Sequence, residues 1–231
     1  MTLPRRLLAE IAANKSLLLF FGLMLVFRSA VADWMVVPTG SMNPTIVEGD
    51  RILVDKAAYG LRVPFTNVRL TEGENPQRGD IVIFPSPKDG MTLVKRVVGL
   101  PGDTIAMRGD RLYINGAPLD YASAQEPAAD VELPIATRGE QREYFSEALG
   151  EANHAIMVLP RRSAMRSFGP VTVPAGHYFM MGDSRDNSED SRYFGVVARE
   201  TIVGRAHRVA YSLDADRWYK PRGDRFFSPL N

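Results

Sequence analysis

Short apolar stretches bounded by turn-forming residues recur along this chain from Arg51 onward, and they restrict it to a fold built from strands. Apolar runs of this kind, alternating with polar positions or closed by Gly, Pro, Asn or Asp, indicate strands. Asn115-Gly116 separates two of them and is a strong hairpin signal. The connections are too short for many crossover helices, so we expect a mainly β fold with antiparallel, coiled sheets. The predicted strands are Arg51–Asp55, Ile81–Phe84, Thr92–Val98, Arg111–Ile114, Ala117–Leu119, Val171–Val173, His177–Met181 and Thr201–Tyr211.

The middle of the chain interrupts this pattern. Residues 120–170 are richer in Ala, Glu and Arg and alternate less, which predicts a small inserted subdomain with a short helix at Glu140–Leu149. We therefore expect one β core in two parts, 35–119 and 171–212. A polar C-terminal tail, 213–231, follows the core.

The N-terminal end carries an export or anchoring signal. Residues 1–15 are basic, and Ser16–Phe27 is almost continuously apolar. A cleaved secretory signal peptide is one interpretation, with Ala30-Val31-Ala32 as its cleavage-like site. An uncleaved membrane helix over residues 16–34 is the other: a span needs roughly 20 residues, and Arg28 near its end can extend its side chain to the headgroups. Both interpretations export the rest of the chain.

Composition excludes several classes of function. The chain has 231 residues and no cysteine, so disulfides, cysteine-ligated zinc and a cysteine nucleophile are absent. A net charge of +1 argues against a nucleic-acid-binding protein, which needs a basic face. The three histidines, His154, His177 and His207, share no metal-ligand spacing and are interpreted as structural. We expect no metal and no cofactor.

One hydroxyl stands out in the run Pro38-Thr39-Gly40-Ser41-Met42-Asn43-Pro44-Thr45. Prolines stiffen both ends of this run, and Gly40 lets another backbone approach Ser41 closely. Gly, Ser, Pro and Thr are also the ordinary residues of turns. From these residues alone the run is either a turn or the site of a nucleophile.

A lysine interrupts an apolar strand at Lys95. Side chains alternate across a strand, so Lys95 and Arg96 point to opposite faces, and at least one can point inward. Both can instead be solvated on an edge strand, where lysine deters aggregation. A buried Lys95 would have a lowered pKa, and its neutral amine could then take a proton from a serine.

A third run, Gly182–Gly195, is dense in charged and short polar side chains. It fits a solvated loop or a folded platform in which Asp–Arg pairs present a hydroxyl to a site. A calcium loop fails on spacing, because Arg185 stands two residues after Asp183, where a ligand is needed.

Together these runs resemble one family, the bacterial type I signal peptidases, which are membrane-bound Ser-Lys endopeptidases. The resemblance rests on four motifs in the family's order. They are PTGSMNPT at 38–45, RGDIVIF at 78–84, LVKRVVGLPGD at 93–103 and GDSRDNSEDSR at 182–192.

The resemblance implies a role for each matching residue. Ser41 would be the nucleophile and Lys95 the general base, with the Ser41 N–H and the Thr39 hydroxyl as the oxyanion hole. Ser188 would orient Lys95. Structural support would come from Asp183, Arg185, Asp190 and Arg192, and pockets for small substrate residues from Val37, Pro38, Met42, Leu93 and Val94.

The resemblance also implies a location and partners. The N-terminal segment would be an uncleaved, single-pass anchor in the bacterial cytoplasmic (inner) membrane, with the N-terminus cytoplasmic and the catalytic domain periplasmic. Partners would be preprotein signal peptides and the lipid bilayer, with cleavage after small residues at A-x-A sites. Ala30-Val31-Ala32 would then be a candidate self-processing site.

Two alternatives remain at this stage. A specialised Ser-Lys peptidase for conjugative pilin maturation or self-cleavage shares the same dyad. A non-catalytic exported binding module is suggested by three Arg-Gly-Asp tripeptides at 78–80, 108–110 and 222–224, although such tripeptides are also common turns.

Overall fold

The computed structural model describes residues 13–66, 68–125, 139–150 and 152–230. Within these ranges the chain is mainly β, and helix is confined to α1 (Lys15–Ala30), α2 (Ser191–Phe194) and short 3₁₀ turns. The strands are β1 (Ala32–Val36), β2 (Asp50–Asp55), β3 (Ile81–Pro85), β4 (Thr92–Gly99), β5 (Thr104–Arg108), β6 (Arg111–Ile114), β7 (Ala117–Pro118), β8 (Tyr121–Ser123), β9 (Glu143–Leu149), β10 (Ala152–Val158), β11 (Phe168–Thr172), β12 (His177–Met181), β13 (Val197–Ala198), β14 (Gly204–Asp214) and β15 (Lys220–Pro221).

The largest sheet carries the residues of interest. Its strand order is β1-β2-β14-β3-β4-β12-β13, with β15 paired to β14, and the pairings are antiparallel. Register shifts interrupt β14 where it pairs with β2. Such irregularities bend a strand and increase its twist, which coils the sheet. The expected mainly β, antiparallel fold is confirmed.

The N-terminal segment differs from the expected helix over 16–34. Helix α1 ends at Ala30, and Trp34 lies in β1, where it pairs with Leu53 of β2. After Ala30 the backbone is therefore extended rather than helical, because hydrogen bonds to β2 stabilise the strand. Among the described residues, no helix combines the length and hydropathy needed to cross a bilayer. Most of the predicted cytoplasmic tail, 1–15, lies outside the described residues.

Two smaller sheets flank the large one, with orders β11-β5-β6-β7 and β10-β9-β8. The predicted hairpin at Asn115-Gly116 is found between β6 and β7. The predicted short helix at Glu140–Leu149 is wrong, because Glu143–Leu149 forms β9 between β8 and β10. Pairing on both edges outweighs the helix preference of its Ala, Glu and Leu. The domain boundaries themselves stay predictions.

A buried apolar cluster lies between β2, β3, β14 and the segment that carries Ser41. It is formed by Val37, Met42, Ile46, Ile52, Val54, Ile81, Ile83 and Ala206. Leu230, from the predicted tail, packs against this cluster. The tail also pairs the Arg225 guanidinium with the buried carboxylate of Asp50 at 2.5 Å. The C-terminal residues thus complete the core behind Ser41.

The three Arg-Gly-Asp tripeptides form ion pairs with other parts of the chain. Each contributes at least one side chain to an intramolecular ion pair. The pairs are Arg78–Asp103, Asp110–Arg166 and Arg222–Asp214.

Candidate active site

Ser41 sits in a tight turn held by apolar anchors. Thr39 is extended, and Gly40–Met42 forms one 3₁₀ turn that Asn43 closes by donating its N–H to the Gly40 carbonyl over 3.1 Å. Met42 is completely buried, whereas Ser41 keeps partial exposure. Burial of Met42 therefore fixes the turn, while the hydroxyl of Ser41 stays accessible.

Glycine is required at position 40 by close contact. A Cβ there would lie 2.5 Å from Glu48 Oε1 and 2.6 Å from Asn43 Nδ2. The sequence had suggested that Gly40 admits a substrate backbone. The contacts show that the missing side chain at Gly40 also leaves room for the Glu48 and Asn43 side chains, which pack against the turn.

Lys95 lies beside Ser41. It is only 2% exposed, and its Nζ donates to Ser41 Oγ over 2.7 Å and to the Val94 carbonyl over 3.1 Å. Burial lowers the pKa of Lys95 from its ordinary 10.5 to about 8, because the charged ammonium is desolvated. The negative charges of Asp190 and Asp183 limit this decrease in pKa. At pH 7 about a tenth of the molecules would therefore carry Lys95 as the neutral amine, the form that can accept a proton.

The loop 182–192 supports this pair from behind. Asp190 accepts hydrogen bonds from the Gly182 N–H at 3.0 Å and the Ser188 hydroxyl at 2.8 Å, and it pairs with Arg192 at 2.8 Å. Asp190, Ser188 and Arg192 are all buried. A buried carboxylate with this many donors stabilises one loop conformation.

Ser188 differs from the expectation that it hydrogen-bonds Lys95. Its hydroxyl donates to Asp190, a charged acceptor, and the described hydrogen bonds of Lys95 go to Ser41 and Val94. A carboxylate is the stronger acceptor, and a hydroxyl has a single proton to donate. Ser188 nevertheless lies close to the Ser41 backbone, because Gly182 has no side chain between them: a Cβ on Gly182 would meet Ser188 Oγ at 2.3 Å and the Ser41 carbonyl oxygen at 2.4 Å.

Arg96 points away from Lys95, as strand alternation predicts, and it is also buried. Its Nη2 lies 2.8 Å from Asp183, which also accepts from the Thr45 hydroxyl at 2.5 Å. Arg96 was not among the predicted site residues. An arginine next to a lysine in an apolar strand was the available signal, because alternation sends one of the two to each face.

The insertion contributes residues that sequence reasoning missed. Glu147 of β9 is fully buried and pairs with Arg185 at 2.6 Å. His154 of β10 lies 3.4 Å from Glu147, and burial lowers the pKa of His154 to about 4, so it is neutral near pH 7. Recognising β9 as a strand would have placed Glu147 on its inward face.

The predicted substrate-contacting residues lie in three places. Val37, Met42 and Val94 belong to the apolar cluster next to Ser41, whereas Leu93 packs on a different cluster around Phe84. The exposed Pro38 lines a groove of about 520 Å³ with Val37. The other wall of the groove includes Leu213, Asp214, Tyr219 and Arg222.

Two further observations concern the remaining site predictions. Thr39 is exposed and its side chain makes no capping hydrogen bond to the turn. In the described ranges, no cluster of three or more His, Asp or Glu is arranged to hold a metal ion.

This chain is similar to known proteins of one family. The family described as "Signal peptidase, peptidase S26" matches residues 10–211. A signal peptidase I from Pseudomonas fluorescens is 41% identical over 212 residues, covering 87% of this chain and 70% of that protein. A signal peptidase I from Pseudomonas aeruginosa is 40% identical over 200 residues, covering 81% and 67%. A solved signal peptidase I structure from Enterococcus faecalis is 36% identical and covers 57% of this chain and 97% of that chain, with a TM-score of 0.34.

Proposed function

We propose a specific activity for this chain, which belongs to the signal peptidase family (peptidase S26) and is a serine peptidase. It removes signal peptides from preproteins through a Ser41–Lys95 dyad. The observation that carries this proposal is the 2.7 Å contact between Lys95 Nζ and Ser41 Oγ, with Lys95 buried. The relatives named above are signal peptidases by description. The chemistry below is derived from the residues of this chain.

Acylation begins with proton transfer. Neutral Lys95 accepts the Ser41 proton as Oγ attacks the scissile carbonyl carbon, giving a tetrahedral oxyanion and an ammonium. The ammonium then protonates the departing amine, and an acyl-Ser41 remains. Lys95, neutral again, takes a proton from an incoming water, whose oxygen attacks the ester. Return of that proton to Ser41 Oγ releases the acid product.

Stabilisation of the oxyanion is assigned to two donors in one turn. The Ser41 N–H and the Thr39 hydroxyl flank Gly40, and the 3₁₀ geometry of Gly40–Met42 fixes the first of them. Preorganised donors of this kind contribute strongly, since losing one typically lowers kcat by about 10²–10³. The exposure of Thr39 supports this role, because its hydroxyl is accessible to a substrate.

Substrate would bind in an extended conformation beside Ser41. Val94 is partly exposed beside Ser41 and can contact a small residue such as alanine, whereas the buried Val37 and Met42 support that surface from the core. Pro38, at the mouth of the adjoining groove, and Leu93 are assigned to neighbouring substrate contacts. This arrangement agrees with cleavage after small residues.

Membrane attachment is part of the same proposal. Helix α1 exposes its apolar side chains between Leu17 and Phe27 to between 38% and 63%. Exposed apolar residues on this scale suit a lipid environment rather than water. The catalytic domain would follow on the periplasmic face, because the basic residues before α1 favour a cytoplasmic N-terminus.

The decisive experiment is mass spectrometry of the products from a model preprotein with an A-x-A site. Wild-type protein should yield one cut after the last alanine. Ser41→Ala and Lys95→Ala should each reduce the cleavage rate by at least about 10³-fold. The exposed Lys88→Ala serves as the matched lysine control and should cleave normally. Full activity in Ser41→Ala or Lys95→Ala would disprove the dyad.

A further inference from the structure

Three arginines lie where the loop between β2 and β3 packs against the 3₁₀ turn Arg199–Thr201. Arg62 and Arg69 are cross-strand partners in an isolated bridge of that loop. Their Nη2 atoms share two acceptors, the carbonyl oxygens of Glu200 and Ile202. Arg69 Nη2 also donates to the Arg199 carbonyl over 3.0 Å. Two guanidinium groups thus converge on the 3₁₀ turn that carries the third arginine.

Their positive charges lack carboxylate partners. Across the residues described, none of the three forms an ion pair within 4 Å; their acceptors are carbonyl or amide oxygens. Burial and the charges of Arg69 and Arg199 lower the pKa of Arg62. Glu72 acts on Arg199 only through longer-range attraction. The Nη1 atom of Arg199 is buried with no hydrogen-bond partner among the described residues.

A purely structural role accounts for only part of this arrangement. Hydrogen bonds from the Nη2 atoms to carbonyl oxygens attach the loop to the sheet. Carbonyl oxygens carry partial charges, however, so they do not neutralise three guanidinium groups held together. The three arginines are partly exposed, so water screens part of their mutual repulsion, and a bound anion would reduce the rest. Arginine forks match the oxygens of a phosphate.

The surroundings of the arginines indicate the source of such an anion. The loop exposes four large apolar side chains, with Phe65 at 71%, Leu70 at 64%, Val68 at 62% and Leu61 at 39%. The Phe65 N–H donates to Ser29 Oγ near the end of α1 over 2.8 Å, so the loop adjoins the apolar helix. Charge and apolar surface therefore lie side by side, as in a phospholipid.

We propose that Arg62, Arg69 and Arg199 form a binding site for a phosphate group, supplied by the headgroup of an anionic phospholipid. The flanking apolar side chains would contact its acyl chains. The choice of lipid as the source rests on the proposed membrane attachment, whereas the phosphate site itself does not. The site uses no residue of the proposed catalytic pair, and none of the three arginines hydrogen-bonds Ser41 or Lys95.

The test uses the full chain in neutral detergent micelles and follows the thermal unfolding midpoint. The additives are inorganic phosphate against chloride at equal ionic strength, and short-chain phosphatidylglycerol against short-chain phosphatidylcholine. Binding to the folded state should raise the midpoint by roughly 2–6 °C with phosphatidylglycerol at about ten times its Kd. Phosphatidylcholine should give little shift.

Two double variants separate this site from general electrostatics. Arg62→Gln/Arg69→Gln should lose the phosphatidylglycerol shift. Arg108→Gln/Arg111→Gln removes the same charge from two exposed strand positions and should keep the shift. Where the first double variant fails to fold, Arg62→Gln alone should lose at least half of the shift.

Each outcome decides one part of the proposal. Equal shifts with inorganic phosphate and phosphatidylglycerol support the phosphate site but overturn lipid as its source. No shift in wild-type protein, or equal loss in both double variants, overturns the site. Cleavage of the model preprotein is measured in parallel. Failure of wild-type cleavage would count against the proposed function and leave the binding result standing.

Discussion

The Ser184 N–H donates to the carbonyl oxygen of Ser41 over 3.1 Å, which joins the 182–192 loop directly to the turn that carries Ser41. The same loop bonds to the insertion, since Met157 of β10 donates to the Asp183 carbonyl and accepts from the Arg185 N–H, both over 2.9 Å. The insertion and the Ser41 turn are therefore held by opposite sides of one loop. Changes in the insertion should reach the site through this loop.

The lowered pKa of Lys95 predicts the pH dependence of cleavage. Only the neutral amine accepts the serine proton, so kcat/KM should rise about tenfold per pH unit below pH 8 and level off above it. The measurement is a pH–rate profile with a model preprotein in buffers of constant ionic strength. A profile that is flat down to about pH 5 would contradict a lysine base.

The same pKa predicts a change in stability with pH. Between pH 8 and 10.5 the unfolded chain still binds the Lys95 proton while the folded chain has released it. Stability therefore rises with pH across this window, by up to about 3 kcal/mol, and the cost of burying the charge is largest below pH 8. Lys95→Met should lack this increase.

Denaturant unfolding at pH 7 and pH 10 measures that difference. Tyrosines and other groups titrate equally in both proteins, so the difference between wild type and Lys95→Met isolates Lys95. Parallel pH dependence in the two proteins would show that Lys95 has an ordinary pKa in the fold.

Thr39 tests the oxyanion assignment. Thr39→Val keeps the shape of the side chain and removes the hydroxyl, so kcat should fall by about 10²–10³ with little change in KM. Thr39→Ser restores the donor and should retain most of the activity. Equal activity in Thr39→Val and wild type would exclude the hydroxyl from catalysis.

Gly182 tests the close packing behind the dyad. Gly182→Ala places a Cβ within 2.5 Å of both Ser188 and the Ser41 carbonyl oxygen, so one of them must move. We expect a loss of at least about 10-fold in kcat/KM together with a destabilisation of about 1–3 kcal/mol. Gly169→Ala is the control, since no atom lies within 4 Å of its Cβ position, and its effect should stay within about 0.5 kcal/mol.

Glu147 tests the contribution of the insertion. Glu147→Gln leaves the buried Arg185 guanidinium without a carboxylate, and the free energy of unfolding should fall by about 3–5 kcal/mol. Glu143→Gln changes an exposed residue of the same strand and should be nearly neutral. The double variant Glu147→Leu/Arg185→Leu removes both charges and should recover much of the loss. No recovery would argue against an electrostatic origin.

Local patterns in the sequence predicted most of the secondary structure. Apolar periodicity and turn residues predicted the antiparallel β class, and Asn115-Gly116 predicted the β6–β7 hairpin, because these signals act over a few residues. Glu143–Leu149 failed for the opposite reason. Its composition favours a helix, but ladders with β8 and β10, set by distant residues, make it a strand.

The candidate site depends on both levels. Strand alternation alone determined that Lys95 and Arg96 point to opposite faces, and the motifs marked Ser41. Only the tertiary structure decided that both faces are buried, that Lys95 lies 2.7 Å from Ser41, and that Glu147 reaches Arg185. Lys95 is 54 positions from Ser41 in the sequence, and Arg185 is 38 positions from Glu147. Contacts over such separations depend on how the sheets pack, and no local pattern encodes that packing.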